Sequence, residues 1–325
     1  MARSLTRPPA APGFFPAYPA ASRAAPSHRP FAVVLAGGGA RGLAHAGALR
    51  ALRHDGYRPS ALVGVSMGAI VAATYALNPT WYQDLLALDT RRLPEPLTPR
   101  SRDAFERCRV LLATGERLVR GLLLGWQGDE RMRDHALDIL THLTRGRSLE
   151  EADPPVTVVA TDLRTGRRVA LNSGPAAQAV YASAALAGLL PPMELGGHLL
   201  ADGGYADLAP VDLARAGGVD RVLAIDPYQD TVRRDPRTGL ESMLRAMEIC
   251  HYRHASLRFA LAELVVRPAF PFQIDTLDFR ALRSAVAAGA RAIVQARHAI
   301  RHVLLDTPHE ALAPAANWAG SLRKD

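Results

Sequence analysis

Lysine is nearly missing from this chain of 325 residues: of its 39 Lys and Arg residues, Lys324 is the only lysine. Arginine therefore carries almost all the positive charge. With abundant Ala and Pro beside it, this bias reads first as the codon composition of a GC-rich genome, and only second as a surface built to hold anions. Cysteine is equally scarce. Cys108 and Cys250 stand far apart with no C-x-x-C, which excludes a disulfide scaffold and a thiolate zinc cluster and permits a reducing compartment. Acids are absent from residues 1–30, where Arg3, Arg7, Arg23 and Arg29 sit among Ala and Pro. Such a composition buries little surface and reads as a flexible tail. Prolines interrupt every apolar run there, so a secretory signal is not expected; an organellar transit peptide is the second reading of the tail. The expected location is the cytoplasm, with peripheral contact at a membrane.

Charge is also absent from two internal stretches, Ser60–Gln83 and Val169–Met193. Each reaches the ~20 residues that a membrane span requires. Both carry Gly, Ser, Asn and Pro, however, and read as buried core rather than as spans. Against these absences, 48% of the residues are hydrophobic and 22% charged, with a formal net charge of +8. That balance excludes whole-chain disorder, and the length suits one large domain or two small ones. Positive charge would favour nucleic acid or anionic lipid. No RNP-like, helix-turn-helix or zinc-finger pattern accompanies the arginines, so no nucleic acid is expected and a lipid surface is the better partner.

From Phe31 onward, short apolar runs end in glycine or aspartate and lead into helix-like sequence, the pattern of parallel strands joined by crossover helices. Strands are predicted at Phe31–Ala36, Ala61–Val65, Val156–Thr161, His198–Ala201 and Arg221–Ile225. Helices are predicted at Ala44–Arg53 and at Met67–Leu77, the latter apolar on all sides and hence buried. Trp81–Glu151 has helical periodicity, many charges and no strand signal, and reads as a helical insertion over the sheet edge. Leu240–Val266 and Phe279–Leu305 are predicted as amphipathic helices. The fold class is therefore α/β: a mostly parallel central sheet flanked by helices, with a helical insertion.

Three motifs carry chemistry. Gly64-Val65-Ser66-Met67-Gly68 is a G-x-S-x-G between a strand and a helix, the context of a nucleophile elbow. On so sharp a turn Ser66 takes a strained backbone conformation, and side chains at Gly64 or Gly68 would collide with their surroundings. The Met67 N–H lies at a helix N-terminus, where the dipole favours a developing negative oxygen. Gly37-Gly38-Gly39-Ala40-Arg41-Gly42 closes the first strand and opens the first helix. It matches G-x-G-x-x-G, but Asp55 precedes the second strand instead of ending it, where it could not hold a ribose, and Leu43 replaces the lysine of a Walker loop. The alternative is that Gly37, Gly38 and Gly39 present N–H groups as an oxyanion hole, with Arg41 adding positive potential. The third motif, Asp202-Gly203-Gly204, ends a short apolar run. Asp202 alone would be an Asx turn; paired with Ser66 it becomes a base whose pKa a dry pocket would adjust.

Taken together, these residues resemble the patatin-like phospholipase family, whose Ser-Asp dyad, G-G-G-x-R/K-G loop and D-G-[GA] motif they match. Gly42–Gly47, Ala160–Leu163, Ala182–Ala185 and Pro210-Val211 fall in the family's order, so the resemblance extends from about Phe31 to Ile300. It implies a three-layer α/β/α catalytic domain over residues 31–310, flanked by tails at 1–30 and 311–325. It implies Ser66 as nucleophile, Asp202 as base, no cofactor or metal, and phospholipids, lysophospholipids or related carboxylic esters as substrates. Ala187 stands where proline is common in the family and Asp207 where asparagine is common, departures that bear on loop shape and substrate preference.

Two rival readings keep their place. His251, His254, His298 and His302 follow Asp202 in an order that would suit a Ser-His-Asp esterase, although each lies in a charged helical segment, as a surface histidine would. A non-catalytic nucleotide-binding or scaffolding module would retain the elbow as a relic. The insertion, with Leu118–Leu124 and Trp126, offers apolar surface for an acyl pocket, for a bilayer or, equally, for ordinary helix packing.

Overall fold

The computed structural model describes residues 28–88, 130–229 and 239–305. Along the chain these form β1 (Phe31–Leu35), α1 (Ala44–His54), β2 (Ala61–Val65), α2 (Met67–Leu77), α3 (Trp81–Leu86), α4 (Glu130–Thr144), β3 (Val156–Asp162) and β4 (Arg168–Leu171). There follow α5 (Ala176–Ala184), β5 (Met193–Leu195), β6 (His198–Asp202), α6 (Val211–Ala216), β7 (Arg221–Ile225), α7 (Gly239–Phe259), β8 (Leu264–Val266), α8 (Leu282–Gln295) and α9 (Arg297–Leu304). The strands join in one eight-stranded sheet whose hydrogen-bonded neighbours run β5-β6-β3-β2-β1-β7-β8, with β4 on β3.

The five strands β3, β2, β1, β7 and β8 are mutually parallel, and β4, β5 and β6 make the antiparallel contribution. Strand β1 explains the layering. Phe31, Val33 and Leu35 point into one apolar cluster with α1, α2 and α8, whereas Ala32 and Val34 point into another with α6 and α7. A strand that is apolar at every position is one whose two faces are both covered, and this is how parallel sheets are used. Helix α2 is buried almost all round, as its composition requires.

The structure departs from the sequence reading at several elements. Leu240–Val266 is not one helix: α7 stops at Phe259, and Leu264–Val266 forms β8 on the parallel edge of β7. Its β-branched valines gain more from that edge than from another helical turn. Phe279–Leu305 divides into a 3-10 turn, α8 and α9, with Ala296 between the helices. Strands β4 and β5 were not expected at all. Of the insertion, the described residues give α3, α4 and the 3-10 turn Leu149–Glu151 and no strand; Leu118–Leu124 and Trp126 lie outside the described residues. No described helix is long and apolar enough to cross a membrane, and the two charge-free stretches hold β2, α2 and α3, and β4, α5 and β5.

One feature of the sheet positions the site. Val158 and Val159 of β3 pair with Gly64 and Val65 of β2 on one edge and with Leu171 and Ala170 of β4 on the other. The next two residues, Ala160 and Thr161, pair with Val169 and Arg168 of β4 and with Asp202 and Ala201 of β6. With β4 filling one edge, β2 and β6 must share the opposite edge, β2 beside its first half and β6, running the other way, beside its second. Their C-terminal ends therefore meet head to head.

Candidate active site

Val65 ends β2 opposite Val159, and Asp202 ends β6 opposite Ala160. Ser66, the residue after Val65, is therefore carried to Asp202 by register alone. The Ser66 hydroxyl donates to Asp202 Oδ2 at 2.6 Å, closing a sequence separation of 136 residues. Ser66 itself has φ 54° and ψ −122°, a conformation costing a non-glycine residue on the order of 1–3 kcal/mol and retained where surrounding structure imposes it. The surroundings are visible. A Cβ on Gly68 would run into the Leu35 carbonyl oxygen of β1, and one on Gly64 would meet the backbone of Ala69. The elbow is thus packed directly against the neighbouring strand and its own helix, and Met67 opens α2 with its N–H beyond reach of any helical carbonyl.

Asp202 is 7% exposed. Its second oxygen, Oδ1, accepts from the Gly204 N–H at 2.8 Å, while its own carbonyl accepts from the Thr161 hydroxyl at 2.8 Å. Burial pushes its carboxyl up to about 6, against the opposing pull of the hydrogen bonds from Ser66 and Gly204. Gly203 has no room for a side chain, since a Cβ would strike the Val159 carbonyl. Tyr205 lies on the same turn. Burial, followed by the nearby Asp202 charge, raises its phenol to about 12, and its oxygen accepts from the Ala187 N–H at 2.8 Å.

Residues 33–215 match the patatin-like phospholipase family. The chain belongs to that family. It is 34% identical over 213 residues to an uncharacterized NTE family protein of Mycobacterium tuberculosis, a stretch covering 64% of this chain and 51% of the relative. It is 31% identical over 211 residues to lysophospholipase NTE1 of Cryptococcus neoformans, covering 62% of this chain and 12% of that protein. The chain thus spans about half the length of the mycobacterial relative and a small part of the fungal one. Among solved structures, VipD from Legionella pneumophila aligns over 84% of this chain and 67% of that one, at 17% identity and a TM-score of 0.46.

Around Ser66 and Asp202 the glycine loop differs in detail from the sequence reading. The Gly37 N–H donates to the Leu208 carbonyl at 3.3 Å, so it serves to tie the loop to the turn after Asp202 rather than facing outward as a donor. Arg41 is 5% exposed, and its guanidinium is engaged elsewhere in the fold: it bonds the Ile274 carbonyl at 3.4 Å and pairs with Glu248 of α7 at 3.3 Å. Gly38 and Gly39 remain the loop's candidate donors, and Gly39, at φ 54° with Thr276 against its Cα, is held to glycine.

The rival readings find no geometry. Asp55 sits beyond α1 with both carboxylate oxygens on Arg297 of α9, at 2.7 and 2.8 Å, away from any ribose-binding position. Among the described residues no histidine hydrogen-bonds Ser66 or Asp202. His251 lies against the Tyr205 ring at 5.4 Å, His254 is exposed, and His298 and His302 lie on α9. Asp162 and Asp226 shape loops: the first accepts from Thr165, Arg164 and His198, the second from the Tyr228 N–H and Arg267.

One further residue bonds the Ser66 turn, in a segment that the sequence reading quoted without giving it a role. Ser183 of α5 is fully buried; its hydroxyl accepts from the Ser66 N–H at 2.9 Å and donates to the Val159 carbonyl at 2.6 Å. The strained elbow turns the Ser66 N–H away from the sheet ladder, and Ser183 satisfies it. A buried serine inside an alanine-rich helix, Ala182-Ser183-Ala184-Ala185, was the available signal, because such a hydroxyl must find a partner.

Proposed function

We propose that the chain is a serine acyl hydrolase that cleaves carboxylic ester bonds of phospholipids, lysophospholipids or related lipid esters. The observation carrying this reading is the 2.6 Å bond from Ser66 Oγ to Asp202 Oδ2, made without an intervening histidine. A carboxylate at its ordinary pKa is a weak base for a hydroxyl, and burial of Asp202 toward about 6 strengthens it. Asp202 takes the Ser66 proton as Oγ attacks the ester carbonyl. The oxygen left negative is held by the N–H groups of Gly38, Gly39 and Met67, each donor lowering the barrier by roughly 3–4 kcal/mol. The proton passes from Asp202 to the departing alcohol. Water, deprotonated in turn by Asp202, then releases the acyl group from Ser66.

The lipid part of the reading is supported by the name of the fungal relative, lysophospholipase, and by the family itself. The catalytic domain is assigned to residues 31–310. We further propose peripheral contact with an anionic membrane from the cytoplasmic side, a reading supported by the net charge of +8 and by substrates that reside in bilayers. Labelling with a fluorophosphonate probe tests the core of the proposal. The wild-type chain should label and hydrolyse a short-chain ester, and Ser66→Ala should do neither while melting cooperatively. Labelling or turnover that persists in Ser66→Ala refutes the assignment.

A further inference from the structure

The glycine loop rests on a buried ring that the proposed chemistry does not use. His45, in the first turn of α1, is fully buried. Burial pulls its imidazole down to about 4, outweighing the opposite effect of its hydrogen bond to Ala36, so the ring is neutral near pH 7. Its Nε2 lies 2.8 Å from the Ala36 carbonyl oxygen. A carbonyl only accepts, so Nε2 carries the proton and Nδ1 is left as an acceptor. Nδ1 is buried with no partner among the described residues. As mere filling, this ring is costly: an aliphatic side chain of similar bulk would leave no polar atom unsatisfied.

The one bond it makes falls at a decisive place. The Ala36 carbonyl is the far end of the peptide unit whose N–H belongs to Gly37, and that N–H donates to the Leu208 carbonyl at 3.3 Å. The unit is thus gripped at both ends, by α1 on one side and by the turn after Asp202 on the other. The same carbonyl also borders the elbow, since a Cβ on Gly68 would meet the Leu35 and Ala36 carbonyl oxygens together. This peptide plane is the fixed end from which the chain runs on to the amides of Gly38 and Gly39.

We infer that His45 is a positioning residue: by holding the Ala36 carbonyl it locks the first peptide of the glycine loop and aims the following N–H groups at the reacting carbonyl. The inference rests on the Ser66 reading above and assigns this ring a role in it.

His45→Leu removes the donor and keeps much of the bulk, whereas His45→Gln returns an amide N–H within reach of the same carbonyl. Both variants of the full chain are assayed for kcat and KM on a p-nitrophenyl ester and for the rate of fluorophosphonate labelling. A catalytic group displaced by about 1 Å loses on the order of 100-fold in rate. His45→Leu should therefore lose about 10- to 100-fold in kcat and in labelling rate with KM within about twofold, and His45→Gln should recover most of the loss. Wild-type kcat in His45→Leu overturns the inference. So does an equal loss in both variants accompanied by raised KM or a collapsed melting transition, which marks a packing role alone. A wild-type chain that takes up no label removes the Ser66 reading and this inference with it, so the two failures remain distinct.

Discussion

Replacing Asp202 by Asn should stabilise the chain while silencing it, and the size of the effect follows from the site. Burial carries the Asp202 carboxyl from 3.8 in the unfolded chain to about 6 in the folded one. At ~1.4 kcal/mol per pKa unit this corresponds to about 3 kcal/mol of differential interaction. The sign is set by the protons bound. Between those two values the folded chain holds the proton more firmly than the unfolded chain, so stability declines as pH rises through the window and stays lower by about 3 kcal/mol above it. Asparagine carries no charge to desolvate. Its oxygen can accept from the Gly204 N–H and its amide can donate to Ser66, preserving both contacts. Urea denaturation should therefore find Asp202→Asn more stable than wild type by up to about 3 kcal/mol at pH 8, and within about 1 kcal/mol of it at pH 4. In the proposed mechanism the base must be ionised, so wild-type kcat/KM should climb about tenfold per pH unit below about 6 and level off above it. Asp202→Asn should show no turnover. A stability difference independent of pH, or a flat rate profile from pH 4.5 to 7.5, would refute the argument.

Ser183→Ala leaves the Ser66 N–H and the Val159 carbonyl without their shared partner. Each orphaned buried group costs about 1–3 kcal/mol, so both the melting temperature and kcat should fall, with the loss of kcat exceeding any change in KM. An unchanged kcat would show that Ser183 supports only the helix. Binding to a membrane is checked by co-sedimentation with liposomes: anionic vesicles should retain the chain at low salt and release it as ionic strength rises, while zwitterionic vesicles should retain less. Equal retention on both, insensitive to salt, would exclude an electrostatic contact.

The parallel half of the fold could be read from residues because each element there repeats one strong signal. Ala61–Val65 and Arg221–Ile225 are apolar at almost every position, and Met67–Leu77 is apolar around its whole circumference, so the predicted and observed bounds coincide. The short strands β4, β5 and β8 carried no comparable signal. β5 and β8 are three residues long and β4 is four, too short for a period of two to stand out; β4 and β5 are held by hairpin pairing to β3 and β6, and β8 by β7, which is distant in sequence. The pairing of Ser66 with Asp202 was legible because glycines mark both turns. The engagement of the Gly37 amide and of Arg41 was not, since Leu208 and Glu248 reach them from remote segments that no local pattern announces. Ser183 was hidden for the same reason, its partners lying just past β2 and on β3.

The junction on β3 has a consequence for how the site comes into being. Two strands abut there on a shared rail, and strand positions are counted in whole residues. A slip of β6 by one residue would shift Asp202 by one strand step and turn its carboxylate to the opposite side of the sheet. The separation of acid and hydroxyl thus admits no gradual adjustment: it is right or absent. A chain whose parallel strands have assembled but whose β6 has yet to dock would be largely folded and chemically inert, so recovery of activity in refolding should lag recovery of secondary structure until that last strand is seated.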